Sequence, residues 1–118
     1  LGVATAAPVV YIAGDSTVMT YKSGYNLYPQ QGWGGRLPDY FTTGVTWSNR
    51  AIGGRSTKSF VDEGRLTSIL SVILPGDYLF IQFGHNDGNS STALHTAGAI
   101  PLPPPLERFT RALLIRRL

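Results

Sequence analysis

Short apolar runs alternate with glycine-rich breaks along this chain. Val9-Val10-Tyr11-Ile12-Ala13 is apolar throughout, β-branched in part, and stops at Gly14. That pattern predicts a short buried strand. Val45-Thr46-Trp47-Ser48-Asn49 predicts a second strand, broken off by Gly53-Gly54. Tyr78-Leu79-Phe80-Ile81-Gln82-Phe83 predicts a third, ended by Gly84. A loop rich in Tyr, Gly and Asn follows the first strand to Gln31. Gly32-Trp33-Gly34-Gly35 then leads into a short predicted helix over residues 36–41, with Pro38 in its first turn. After the second strand, Ser56 is placed to cap a helix containing Lys58, Phe60 and Val61. Gly64 interrupts it, and residues 66–74 form another apolar helical stretch. Pro75-Gly76-Asp77 is a turn signal. The order strand, helix, strand, helix, strand predicts an α/β fold: a parallel sheet with right-handed crossovers.

Beyond Asn89 the pattern dissolves. Residues 90–100 show no periodicity, and Pro101-Leu102-Pro103-Pro104-Pro105 cannot sit in a central strand. Residues 106–118 are basic and read as an amphipathic helix. The sequence therefore divides into a start (1–7), a folded body (8–89) and an irregular Pro-rich and Arg-rich tail (90–118). Such an abrupt switch is the pattern expected of a mis-spliced or frame-shifted gene model. At the other end, Leu1-Gly2-Val3-Ala4-Thr5-Ala6-Ala7 is small and apolar, and Ala4-Thr5-Ala6 fits a leader-peptidase site. This start is expected to be the remnant of a secretory signal, placing the protein outside the cell.

Charge narrows the partners. The net charge is +3, but residues 1–105 hold six basic and six acidic side chains. The excess comes from four arginines against Glu107 in the last thirteen residues. The body thus carries no basic footprint for nucleic acid. No apolar run approaches the roughly 20 residues of a membrane span, so neither nucleic acid nor membrane is expected as a partner. The absence of cysteine excludes disulfides, thiolate metal sites and a Cys nucleophile.

The candidate chemistry lies in three glycine-containing turns, each after a predicted strand: Gly14-Asp15-Ser16, Gly53-Gly54-Arg55-Ser56 and Gly84-His85-Asn86-Asp87. In open α/β sheets, sites form beyond the carboxyl ends of the strands, so the three turns should converge. Their residue types suit acyl transfer. Ser16 brings a hydroxyl at an expected strand-to-helix turn, with its backbone N–H free to donate. Gly54 lets a backbone N–H approach a substrate without a Cβ in the way. The Asn86 amide supplies a third donor. Three donors aimed at one point make an oxyanion hole.

These blocks resemble the SGNH (GDSL-type) hydrolase superfamily. Gly14-Asp15-Ser16 is similar to its first block, with Ser16 as nucleophile. Residues 49–56, Asn-Arg-Ala-Ile-Gly-Gly-Arg-Ser, match the second, with Gly54 as the oxyanion glycine. Gly84-His85-Asn86-Asp87 matches the third, with Asn86 as the oxyanion asparagine. Gly-Asp-Ser-Thr, Gly-Arg-Ser, Glu63-Gly64-Arg65 and Gly-His-Asn-Asp-Gly together most resemble rhamnogalacturonan acetylesterases, which take acetyl groups from pectin. The resemblance covers about residues 9–89 and implies a three-layer αβα, flavodoxin-like fold. It implies no metal or cofactor, and a monomer acting on an acetylated polysaccharide. Such a family closes its triad with Asp-x-x-His. The only histidines here are His85 and His95, and neither has Asp three residues before it. The sheet is short too, since each βαβ step takes roughly 30 residues. The chain is thus expected to be truncated to about three strands and inactive alone. A non-catalytic carbohydrate-binding remnant, or a lipase or thioesterase of the superfamily, are the alternatives.

Other residues carry competing readings. His85, Asp87 and Arg55 are candidates for substrate binding. A substitute-base role for His85 is disfavoured, because the matching family residue is not the triad histidine, and His95 reads as a loop residue. Asp15 and Asp87 could pair on a metal, but with no third ligand in sight, hydrogen bonding within the turns is favoured. Trp33 and Trp47 could stack on sugars, but core packing is the default.

Overall fold

The computed structural model describes residues 6–25, 28–87 and 112–114. Its central element is strand β1, Val9–Gly14. β1 pairs in parallel with β2 (Thr46–Asn49) on one side and β3 (Tyr78–Gln82) on the other. Val10 lies opposite Trp47 in β2 and Tyr78 in β3. The sheet order is β2-β1-β3-β4, where β4 is Ala112–Leu114.

β1 holds the centre because it is apolar on both faces, which a buried parallel strand requires. Tyr11 and Ala13 point into one core with Phe60, Leu66, Ile69, Ile73 and Leu79. Val10 and Ile12 join Val18 and Ala51 in a second core, against which Trp33, Leu37 and Trp47 pack. Helices α2 (Thr57–Asp62) and α3 (Arg65–Leu70) supply the first face. Helix α1 (Trp33–Arg36) and a 3-10 helix (Leu37–Tyr40) supply the second. The three-layer αβα arrangement follows from this period-2 alternation. Full burial of Ile12, Phe60, Ile69 and Leu79 stabilises it by about 1.5–3 kcal/mol per side chain.

Local signals explain most boundaries. Ser56 caps α2: its Oγ accepts from Ser59 N–H at 3.1 Å, and Ser59 Oγ accepts from Ser56 N–H at 2.9 Å. This is a reciprocal capping box with serine in the usual Glu/Gln place. Asp77 closes the turn before β3 by accepting from Leu74 N–H (2.9 Å), and its other oxygen accepts from Val9 N–H at 2.9 Å. That second bond ties the start of β1 to the start of β3.

Four expectations need correction. The helix expected over residues 36–41 starts earlier, at Trp33, and continues as a 3-10 helix in which Pro38 supplies no N–H. The glycines that looked like its lead-in are required by close packing. A Cβ on Gly32 would lie 2.5 Å from Val18 C, and one on Gly34 2.6 Å from Val18 O. The second helical stretch ends at Leu70 rather than Leu74, because Ser71 Oγ donates back to Ser68 O at 2.8 Å and Pro75 disfavours helical backbone at Leu74. Third, no helix follows Ser16 directly: residues 16–18 form a turn. Finally, the tail supplies a strand where an amphipathic helix was expected. Ala112–Leu114 pairs with Leu79–Ile81, adding a fourth strand to the three expected. The leader reading falls mostly on residues 1–5, which lie outside the described residues, as do His95 and the rest of the tail. Among the described residues, no helix is long and apolar enough to cross a membrane.

Candidate active site

The turn after β1 is fixed through its carbonyls. Asp15 O accepts from Val18 N–H (3.1 Å) and Met19 N–H (3.0 Å). Ser16 O accepts from the Tyr21 hydroxyl at 3.0 Å. Thr17 O accepts from Trp33 N–H and Met19 O from Gly32 N–H, both at 3.0 Å. Val18 O accepts from Asn49 Nδ2 at 2.9 Å. Each carbonyl from Asp15 to Met19 thus has a partner, two of them at the start of α1. The side chain of Asp15, 1 % exposed, accepts from Thr17 N–H (2.8 Å) and Thr17 Oγ1 (2.7 Å). A buried carboxylate held this way is a turn brace.

The second and third turns are bound to the first and to each other. Ile52 N–H donates to Gly14 O at 3.0 Å. A Cβ on Gly53 would lie 3.6 Å from Ser16 Cβ, so the Gly53-Gly54 segment stands beside Ser16. Gln82, the last residue of β3, accepts from Trp33 Nε1 at 2.8 Å and donates to Thr17 Oγ1 at 3.2 Å. Asn86 Nδ2 donates to Arg55 O at 3.0 Å. Asp87 accepts from Thr57 N–H and Thr57 Oγ1, both at 2.7 Å. The three turns therefore meet at one edge of the sheet, as strand polarity requires.

The donors at this edge are available. Among the described residues, neither Ser16 N–H nor Gly54 N–H has a hydrogen-bond partner, and Asn86 keeps one amide hydrogen free. Gly54 has φ +74°, the left-handed region that glycine occupies without strain, and nothing lies within 4 Å of where a Cβ would be. Ser16 Oγ has no partner among the described residues, and His85 is exposed and makes no hydrogen bond among them. Among the described residues, a hydroxyl and three donors therefore lie at this edge with no basic side chain bonded to the serine.

The flanking charges form a cluster. Arg55 donates through Nη1 to Gly53 O (3.0 Å) and through Nε to Glu63 Oε2 (3.2 Å), and Arg65 also bonds Glu63. The Arg65 hydrogen bond, joined by Arg55, holds the Glu63 carboxyl below its ordinary value against an opposing desolvation. The substrate-binding candidates Arg55 and Asp87 therefore have structural partners of their own. Asp15 and Asp87 each brace a turn, and no group of three His, Asp or Glu side chains gathers as a metal site among the described residues. A cavity of about 230 Å³ is lined by residues 49–52 with Arg65, Ser68 and Ile69. None of Ser16, Gly54 or Asn86 lines it, so the candidate site lies outside this hollow.

This geometry has relatives. The model of the GDSL-like lipase/acylhydrolase family matches residues 10–115. The chain belongs to that family. It is 52 % identical over 82 residues to the probable rhamnogalacturonan acetylesterase YesY of Bacillus subtilis, covering 70 % of this chain and 36 % of the relative. It is 51 % identical over 78 residues to the rhamnogalacturonan acetylesterase RhgT of the same organism, covering 66 % and 33 %. The crystal structure of Bacillus subtilis YxiM superposes with a TM-score of 0.61 at 41 % identity, over 70 % of this chain and 23 % of that one. The chain spans about a third of the length of the curated relatives it matches. The GDSL-like family match runs past the Pro-rich break and through β4.

Asn49 entered the sequence reading only as the end of the second predicted strand and the first residue of the second matched block, and Gln82 only as part of the third predicted strand. Each is the last residue of its strand. A polar residue at the carboxyl end of a predicted strand was the available signal.

Proposed function

We propose that this chain carries the nucleophile and oxyanion hole of a serine esterase that removes acetyl groups from rhamnogalacturonan. The observation that carries the reading is the meeting, at one sheet edge, of Ser16 with two unpaired backbone N–H groups and the Asn86 amide. The names of the relatives support the substrate. Ser16 Oγ attacks the acetyl carbonyl. Ser16 N–H, Gly54 N–H and Asn86 Nδ2 donate to the oxyanion of the tetrahedral intermediate. The sugar hydroxyl leaves with a proton, and water then releases acetate from acetyl-Ser16. The step needs a general base, and this sequence contains no Asp-x-x-His. Turnover by these 118 residues alone is therefore slow, since a serine hydroxyl is a poor nucleophile at neutral pH. An oxyanion hole by itself keeps on the order of 10³-fold over water. A polymeric substrate supports an extracellular site of action.

A single-turnover reagent tests this in a chimera in which the 78 matched residues of RhgT are replaced by those of this chain, since a serine without a base reacts too slowly with it. With diethyl p-nitrophenyl phosphate, Ser16 Oγ bonds to phosphorus, p-nitrophenolate leaves, and the hydroxyl proton goes to solvent. The expected result is one diethylphosphoryl group, mapped by peptide mass spectrometry to Ser16 and lost in Ser16→Ala. Scattered labelling across several serines would contradict the nucleophile role. Binding of pectin without any labelling would instead support a non-catalytic carbohydrate-binding module.

A further inference from the structure

The oxyanion turn contains a weakness and its remedy. Rotating the Gly53–Gly54 peptide plane changes ψ of one glycine and φ of the next. Glycine tolerates both signs of φ, so this plane flips more easily than most. No steric wall holds it, since nothing lies within 4 Å of a Cβ built on Gly54. Yet Gly54 N–H is useful to an oxyanion only in one orientation. In a trans peptide, the carbonyl and the N–H point in opposite directions. Gly53 O accepts from Arg55 Nη1 at 3.0 Å. Holding that oxygen fixes the N–H on the other side, and a cationic donor also polarises the amide. Arg55 is itself held, because its Nε donates to Glu63 Oε2 at 3.2 Å and Arg65 grips the same carboxylate. The carbonyl of Arg55 accepts from Asn86 Nδ2 at 3.0 Å, which orients the second donor.

We infer that Arg55 is the positioning residue of the oxyanion hole: its guanidinium clamps the Gly53–Gly54 peptide, and its carbonyl holds the Asn86 amide. The inference rests on the esterase reading above. The competing account is a surface ion pair with Glu63, which does little and leaves the peptide plane untouched.

The test uses the full chain labelled with ¹⁵N. Arg55→Met is expected to shift the Gly54 amide resonance while the β1 amides stay in place. In the chimera with RhgT, the same substitution is expected to slow phosphorylation of Ser16 by diethyl p-nitrophenyl phosphate about 10-fold, less than the 10²–10³ of deleting a donor outright. The loss should fall on the inactivation rate constant and leave reagent binding within twofold. Arg55→Lys, which keeps a cationic donor, should recover part of both effects. An unmoved Gly54 resonance, or an unchanged inactivation rate alongside a slowed Asn86→Ala, overturns the Arg55 role and leaves the esterase reading intact. Failure of Ser16 to react at all overturns both.

Discussion

Phe60→Ala is expected to destabilise the chain by about 3–5 kcal/mol. Phe60 is 1 % exposed and sits among Tyr11, Leu66, Ile69 and Leu79. Its ring lies 5.1 Å from that of Phe83. Strand β1 and helix α3 border the space it fills, and each is fixed by its own contacts, so the vacated volume cannot collapse fully. Domains are stable by only about 5–15 kcal/mol, and this loss removes much of that. The effect reaches the site, because Phe60 anchors α2 and the first residue of α2, Thr57, holds Asp87. A fall in the urea midpoint at unchanged slope is the readout. A loss below about 1 kcal/mol would be that of a surface substitution and would deny the face of α2 its place in the core.

In the chimera with RhgT, Asn86→Ala is expected to slow phosphorylation of Ser16 by about 10²–10³-fold, the usual effect of removing one oxyanion donor. Its fold should persist. Asn86 is only partly buried, and Thr57 still holds the turn through Asp87. Asn86→Asp separates charge from shape. It keeps the side-chain outline but replaces the donor with an anion that repels both the Arg55 carbonyl and the developing oxyanion. It should be at least as slow. A rate within threefold of the parent in either variant would mean that the amide braces Arg55 and does nothing more.

Much of this was legible in the sequence, because buried parallel strands and turn glycines leave local marks. The run Val9–Gly14 could only be a strand covered on both faces, and Ser56 announced the start of α2. What stayed hidden was set by distant contacts. Gly32 and Gly34 read only as the lead-in to a helix, because the backbone of Val18 that excludes a Cβ there lies some fourteen residues earlier. Strand β4 was masked by the arginines around it and gains its partner, β3, only in the fold. The site followed the same division. Ser16, Gly54 and Asn86 could be named as candidates from three blocks in order. The side-chain bonds of Asn49, Gln82 and Arg55 that fix these turns depend on the fold, and sequence alone does not specify them.

The central claim is that this chain supplies the nucleophile and oxyanion hole of an acetylesterase. A chimera tests it most directly, with the 78 matched residues of RhgT replaced by those of this chain. Acetate release from acetylated rhamnogalacturonan is the measurement. The account predicts that the chimera releases acetate and that Ser16→Ala within it abolishes the release. A chimera that folds with a sharp thermal transition yet releases none, or one that keeps its activity after Ser16→Ala, would contradict it.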